Sequence, residues 1–290
     1  MHRKADCYHW ITTRQLIDDM RKFLEEIPES IDTVVGVARS GLIPAALVAA
    51  ERHLPLYAAS RQHVVSVGSG YRLGPDRSPR EVLIVDDTAH GGRQMARLRL
   101  WVAALFPDAR IWTSTIYATP QSLAIPGLFD FAAVELDSPH YLEWNYFNSS
   151  LIGKAALDFD GILCQDCPAP YDDDAEHYER FLKEVRPKFL PRREPVRVIV
   201  TARLEKYRPQ TEAWLKRWGV RCERLVMGPW KSQAARNGHI AAWKGSVYRK
   251  LPQSMFVESD PRQAPVIAEI ARKPVLCPAL QRVIFSGDRP

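Results

Sequence analysis

Twice along this chain a short apolar run ends in acidic residues and passes into a small-residue turn, at Val82–Gly92 and again at Lys154–Gly161. An apolar run of this length suits a strand buried on both faces, and acids at its end stand where the strand leaves the core. Around both runs short apolar stretches alternate with amphipathic ones, the rhythm of a parallel sheet covered by helices. In the first half this predicts strands at Thr33–Val37, Leu54–Ala59, Glu81–Val85, Ile111–Ala118 and Phe131–Glu135, with helices from Pro44 to Arg52 and from Arg93 to Phe106. A second series predicts strands at Lys154–Phe159, Val196–Thr201, Arg224–Met227 and Met255–Glu258, and helices at Asp174–Val185, Tyr207–Trp218, Ile240–Leu251 and Pro265–Ala271. The expected fold class is therefore α/β with two domains, 1–149 and 150–290, each a mainly parallel sheet flanked by helices. The break is placed near Asn148–Ser150, where aromatic density falls and the second strand series begins.

With 290 residues, each half is long enough for its own core. No stretch approaches the roughly 18 uninterrupted apolar residues of a membrane span, and Met1–Trp10 lacks an apolar leader segment. The expectation is a cytoplasmic protein with no membrane partner. Five cysteines, an odd count, argue against a disulfide framework. Cys164 and Cys167 form one C-x-x-C without a second pair, too little to specify a metal or redox centre. The net charge of +6 is scattered over both halves, so anionic small substrates explain it as well as a nucleic acid does. A nucleic-acid partner is not expected, and a homo-oligomer is left open.

The first acidic run reads Val82-Leu-Ile-Val-Asp86-Asp87-Thr88-Ala89-His90-Gly91-Gly92. Adjacent carboxylates at a strand end suit vicinal hydroxyls, and the N–H groups of a glycine turn opening a helix form an anion nest. A ligand with a sugar diol and a phosphate would meet both. The same residues also suit a simple helix cap. Further features lie in order around the run. Gly36-Val-Ala-Arg39-Ser40-Gly41 is a glycine-bearing loop after the first strand, and Arg61 follows the second. Val65–Arg80, with Gly68, Gly70, Gly74 and two prolines, is too long for a simple connector.

Together these resemble the type I phosphoribosyltransferases over most of residues 30–118. The resemblance implies displacement of diphosphate from Mg²⁺-bound phosphoribosyl diphosphate (PRPP) by a nucleobase nitrogen. Asp86 and Asp87 would hold the ribose hydroxyls, and Thr88, Ala89, His90, Gly91 and Gly92 the 5′-phosphate. Arg39, Ser40, Gly41 and Arg61 would take the diphosphate, under a mobile hood formed by Val65–Arg80. His90 and Arg93 stand where that family usually has Thr or Ser donors. Trp144, in the aromatic stretch Tyr141–Phe147, is a candidate stacking surface for the base, and these rings equally suit packing.

The second run, Lys154-Ala-Ala-Leu-Asp158-Phe159-Asp160-Gly161, has D-x-D-G spacing. One acid of such a pair can attack phosphorus while the other serves as acid and base. Strand ends bearing Thr201 and then Glu258 and Asp260 follow, with Lys244 on the helix between them. Acid pair, hydroxyl, lysine and acids in this order resemble the haloacid dehalogenase superfamily over most of residues 151–278. The resemblance makes Asp158 the nucleophile, Asp160 the general acid and base, and Thr201 and Lys244 the phosphoryl ligands. Asp158, Asp160, Glu258 and Asp260 would hold Mg²⁺. Lys231 competes with Lys244, which of Glu258 and Asp260 meets the metal is open, and the short insert from Gly161 to Pro195 implies a small cap.

The two resemblances together lead to the expectation of a bifunctional enzyme. It would join a nucleobase-like acceptor to PRPP and then dephosphorylate the 5′-nucleotide to a nucleoside-like product. The alternatives are a phosphatase with a PRPP- or nucleotide-sensing domain, and a nucleic-acid end-processing phosphatase.

Overall fold

The computed structural model describes residues 8–60, 63–70, 78–89, 91–168 and 175–288. Arg61, His90 and residues 71–77 of the expected hood loop lie outside these. The chain divides into two compact units, Met1–Trp144 and Asn145–Pro290. This division places residues 145–149, including Tyr146 and Phe147, in the second unit, ahead of the predicted start at 150.

The first unit runs β1 (His9–Ile11), α1 (Thr13–Glu26), β2 (Thr33–Val37), α2 (Leu42–Arg52), β3 (Leu56–Ala59), β4 (Val64–Gly68), β5 (Glu81–Ala89), α3 (Arg93–Leu105), β6 (Arg110–Ala118), α4 (Pro120–Leu123), β7 (Phe131–Glu135) and β8 (His140–Leu142). Its main sheet has the order β4-β3-β2-β5-β6-β7. All neighbours are parallel except β3 and β4. The apolar run of β5 is buried throughout because the pleat sends its side chains into two cores. Leu83 and Val85 meet Leu16, Phe23 and Val48 on one face, while Val82 and Ile84 meet Met95, Leu98 and Val102 on the other. Burying a leucine or phenylalanine of this kind contributes about 1.5–3 kcal/mol. α1 begins at Thr12, whose hydroxyl accepts from the Gln15 N–H at 3.1 Å. A separate two-stranded parallel sheet pairs β1 with β8.

The second unit contains β9 (Ala155–Leu157), α5 (Ala175–Glu184), β10 (Val198–Leu204), α6 (Arg208–Arg217), β11 (Leu225–Gly228), α7 (Gln233–Arg236), α8 (Ile240–Arg249), β12 (Met255–Val257), α9 (Gln263–Ala271), β13 (Val275–Cys277) and β14 (Arg282–Ile284). The sheet order is β11-β10-β9-β12-β13-β14, parallel except for the β13–β14 pair. The expected α/β class with two mainly parallel sheets flanked by helices is what the structure has.

Both sheets reverse direction of growth beside their first central strand. β2 lies between β3 and β5, and β9 lies between β10 and β12. Beyond the carboxyl ends of such strands the connections diverge and leave a crevice where ligands bind in open α/β sheets. The Asp86 and Asp158 runs both lie at such a point.

Several elements differ from the prediction. β5 continues through the acids to Ala89 because β6 still pairs with it, Asp86 opposite Thr115 and Thr88 opposite Tyr117. β10 likewise extends past Thr201 to Leu204. Val64–Gly68, assigned mostly to the long loop, is an edge strand against β3. β1, α1, β8, β13 and β14 were not foreseen. Among the described residues no helix is long and apolar enough to cross a membrane.

Candidate functional sites

In the second unit, Asp158 follows the last residue of β9 and is 5% exposed. Its Oδ1 accepts from the Phe159 N–H at 2.8 Å, and its Oδ2 from Lys244 Nζ at 2.8 Å. The same ammonium donates to Glu258 Oε2 at 2.8 Å, so one cation bridges two buried acids. Burial pushes the Asp158 pKa well above the usual carboxylate range, and the charge of Glu258 adds to this while Lys244 opposes it. Burial works against the charge of Lys244, but Asp158 and Glu258 outweigh it and raise its pKa.

Asp160 is held by a residue the motif reading missed. Arg203 donates to it through Nε at 3.0 and 3.2 Å and through a terminal nitrogen at 2.6 Å. This guanidinium is 1% exposed and lies 3.9 Å over the Phe159 ring. The Cys164 thiol reaches Asp160 Oδ1 at 3.4 Å, so the first cysteine of the C-x-x-C packs against the acid pair. Cys164, Cys222 and Cys277 are free thiols. Burial, followed by the nearby Asp160 charge, raises the Cys164 pKa and keeps it a thiol.

A cavity of about 620 Å³ opens over Asp158, Asp160, Lys244, Glu258 and Asp260. Lys244 thus stands at the acids, whereas Lys231 is exposed and does not line the cavity. Thr201 is 1% exposed and its Oγ1 accepts from the Arg203 N–H at 3.2 Å, while Ala202 and Arg203 form the wall. The insert contributes Asp166, Cys167 and Tyr178 to the lining, and Tyr178 packs with Leu182, Leu204 and Tyr207. Arg236, also unforeseen, lines the cavity and donates to the Ala202 carbonyl at 3.3 Å.

The predicted Mg²⁺ ligands are oxygen donors of the kind a hard cation takes. Their positions do not assemble one site. Asp158 and Glu258 share Lys244, Asp160 is engaged by Arg203, and Asp260 accepts from Arg262 at 3.1 Å and Gln263 at 3.1 Å. Among the described residues no three His, Cys, Asp or Glu side chains gather closely enough to hold a metal ion.

In the first unit the two adjacent acids have different surroundings. Asp86 is partly buried and lines a cavity of about 290 Å³ with Thr88, Ala89, Gly91, Gly92 and Arg93. Its Oδ1 accepts from the Asp87 N–H at 2.9 Å. Burial raises its pKa well above the usual carboxylate value, and the adjacent Asp87 charge raises it further. Asp87 is 2% exposed and is absent from that lining; its Oδ2 accepts from the Trp144 indole N–H at 2.9 Å.

The same segment meets the next residue, where His140 Nε2 and Thr88 Oγ1 are 2.7 Å apart. Behind Trp144 lies the ring of Tyr117, whose hydroxyl donates to buried Asp19 at 2.8 Å. Tyr146 and Phe147, proposed with Trp144 as stacking rings, are buried in the second unit, Phe147 stacked 4.2 Å from Phe189.

The loop after β2 brings Gly41 against Asp86. A Cβ built at Gly41 would lie 2.7 Å from Asp86 Oδ1, so only glycine allows this approach. Arg39 in this loop is exposed and Ser40 partly buried. Gly92 opens α3 with φ 65°, leaving the first N–H groups of the helix without a side-chain cap. Arg93 and Arg97 border an adjoining cavity of about 300 Å³ with Ser60, giving this helix end a basic rim.

No protein-family model and no curated protein matches the chain. Similar solved structures include a purine phosphoribosyltransferase from Pyrococcus horikoshii Ot3, 24% identical, covering 48% of this chain and 94% of that one at a TM-score of 0.38. A xanthine-guanine-hypoxanthine phosphoribosyltransferase from Helicobacter pylori is 12% identical over 48% of this chain and 93% of its own, at a TM-score of 0.39. An orotate phosphoribosyltransferase from Aeropyrum pernix is 21% identical over 42% of this chain and 71% of its own, at a TM-score of 0.33.

Proposed function

We propose that the chain is a bifunctional enzyme that joins a nucleobase-like acceptor to PRPP and then removes the 5′-phosphate of the product. The observation that carries this reading is the Asp158–Lys244–Glu258 bridge beside the Asp160–Arg203 pair, under one cavity at the switch point of the second sheet. An aspartate whose carboxylate is oriented by two fixed donors is a preorganised nucleophile.

In the second unit Asp158 attacks phosphorus and the P–O bond to the leaving alcohol breaks. Asp160 gives its proton to the departing oxygen, then takes one from the water that hydrolyses the aspartyl phosphate, releasing phosphate and free Asp158. Lys244 balances the charge of Asp158 and Glu258 at the point where the phosphate must approach. Arg203 fixes the rotamer of Asp160.

In the first unit the N–H groups at the start of α3, with Arg93, suit the 5′-phosphate, and Asp86 suits a ribose hydroxyl. Arg39 suits the diphosphate. The nucleobase nitrogen forms a bond to the anomeric carbon as the bond to diphosphate breaks. Because the first product is a phosphomonoester, a phosphatase on the same chain meets it at raised effective concentration.

A second reading keeps the phosphatase and makes the first unit a PRPP or nucleotide sensor; the burial of Asp87 against Trp144 favours it. The test is to incubate the full chain with PRPP and a panel of bases, with Mg²⁺ and with chelator. Base-dependent diphosphate release followed by inorganic phosphate is expected. Heat of PRPP binding without turnover of any base would support the sensor instead, and no phosphate from any phosphomonoester would overturn the second activity.

A further inference from the structure

Two neighbouring carboxylates on a strand end are the obvious partners for the two hydroxyls of a ribose, but here only one of them faces the cavity. β5 continues in strand geometry through Asp86, Asp87 and Thr88, so the strand sends their Cβ atoms to alternate faces, although the Asp86 and Asp87 carboxyl groups still touch side chain to side chain. Asp86 and Thr88 line the cavity with Gly91, Gly92 and Arg93, while Asp87 lies behind Asp86, 2% exposed and outside the lining. The orientation of Asp87 is fixed from outside the strand by the Trp144 indole N–H at 2.9 Å. From the same segment, β8 supplies His140 to the Thr88 hydroxyl at 2.7 Å. β8 in turn is anchored by its parallel pairing with β1, His140 opposite His9. Two side-chain hydrogen bonds from residues 140–144 therefore pin two successive residues of the strand end. Turning Asp87 into the cavity would break one of them and leave the partly buried Trp144 indole N–H without its acceptor.

We propose that the first site recognises one sugar hydroxyl, through Asp86 alone, and that Trp144 sets this specificity by withholding Asp87. The proposal rests on the reading of the first unit as a ribosyl-phosphate site and narrows its substrate class. Such a site tolerates sugar phosphates that lack one of the two ring hydroxyls. Trp144 is then a positioning residue rather than a stacking surface for the base.

The test measures calorimetric binding of ribose 5-phosphate, 2-deoxyribose 5-phosphate and 3-deoxyribose 5-phosphate to the full chain. One of the two deoxy sugars is expected to bind within about twofold of ribose 5-phosphate. The other is expected to lose roughly ten- to a hundredfold, the worth of a hydrogen bond to a charged group. Asp86→Asn should remove that difference while the variant unfolds at the wild-type temperature within a few degrees. If each deoxy sugar loses tenfold or more, both carboxylates are engaged and the proposal fails while the ribosyl-phosphate reading stands. If none of the three sugars binds, that reading fails and the proposal with it.

Discussion

Lys244 lies 2.8 Å from both Asp158 and Glu258, and all three side chains are almost fully withdrawn from water. Removing one member of a buried ionic cluster leaves uncompensated charge at a cost of about 3–5 kcal/mol. Lys244→Met should therefore lower the unfolding free energy at neutral pH by about that amount, read from urea titrations; a loss below 1 kcal/mol would contradict the bridge. Asp86 offers a test of opposite kind. Its folded pKa is raised above the ordinary 3.8 by burial and by Asp87. Between the ordinary value and the raised one the folded state binds more protons than the unfolded state. Stability is then lost as pH rises through that window. Asp86→Asn removes the group, so the variant should show a shallower loss of stability than wild type as pH is raised from 4 to 7. An identical slope in both proteins would show that Asp86 is not desolvated as described. Of the residues lining the second cavity, Asp158, Asp160, Lys244, Glu258 and Asp260 show in the sequence because each ends or adjoins an apolar run, whereas Thr201 is buried outside the lining. Arg203 was passed over although it stands two residues from Thr201 on the same strand. Trp144 was noticed for its ring, but its bond to Asp87 spans 57 positions and leaves no local signal.

At the scale of elements, the central strands were legible and the peripheral ones were not. β2 is buried along its whole length and β5 through Val82, Leu83, Ile84 and Val85, and both show as short, mainly aliphatic runs. β1, β8, β13 and β14 have three residues each, too few to show a period, and β1 and β8 exist only through a pairing between distant parts of the first unit. α1 hides its apolar stripe of Leu16, Met20 and Phe23 among charges, because the buried face also carries Asp19, satisfied by Tyr117. The β5-to-α3 junction carries the sharpest element-scale prediction. Gly92 sits at φ 65°, and a Cβ there would collide with the Leu128 side chain. Gly92→Ala combines left-handed strain of about 1–2 kcal/mol with that collision. It should lower thermal stability and weaken phosphate binding at the α3 end more than Gly91→Ala, since a Cβ at Gly91 meets nothing within 4 Å. Equal effects of the two substitutions, measured by calorimetry and thermal melts, would show that the turn is not conformationally constrained.

At the scale of the whole chain, two sheets of similar plan each place acids beyond a switch point, in cavities of different character. The 620 Å³ cavity of the second unit is walled by buried, mutually fixed charges. The 290 Å³ cavity of the first joins one carboxylate to a glycine-opened helix end. In the proposed function the first site makes the phosphomonoester that the second consumes. The most direct measurement follows diphosphate, nucleotide and inorganic phosphate together after PRPP and a base panel are added to wild type and to Asp158→Asn. The predicted result is diphosphate release from both proteins, with phosphate and a nucleoside-like product from wild type and accumulated 5′-nucleotide from the variant. Phosphate release by Asp158→Asn at the wild-type rate, or no base-dependent diphosphate from either protein, would contradict it.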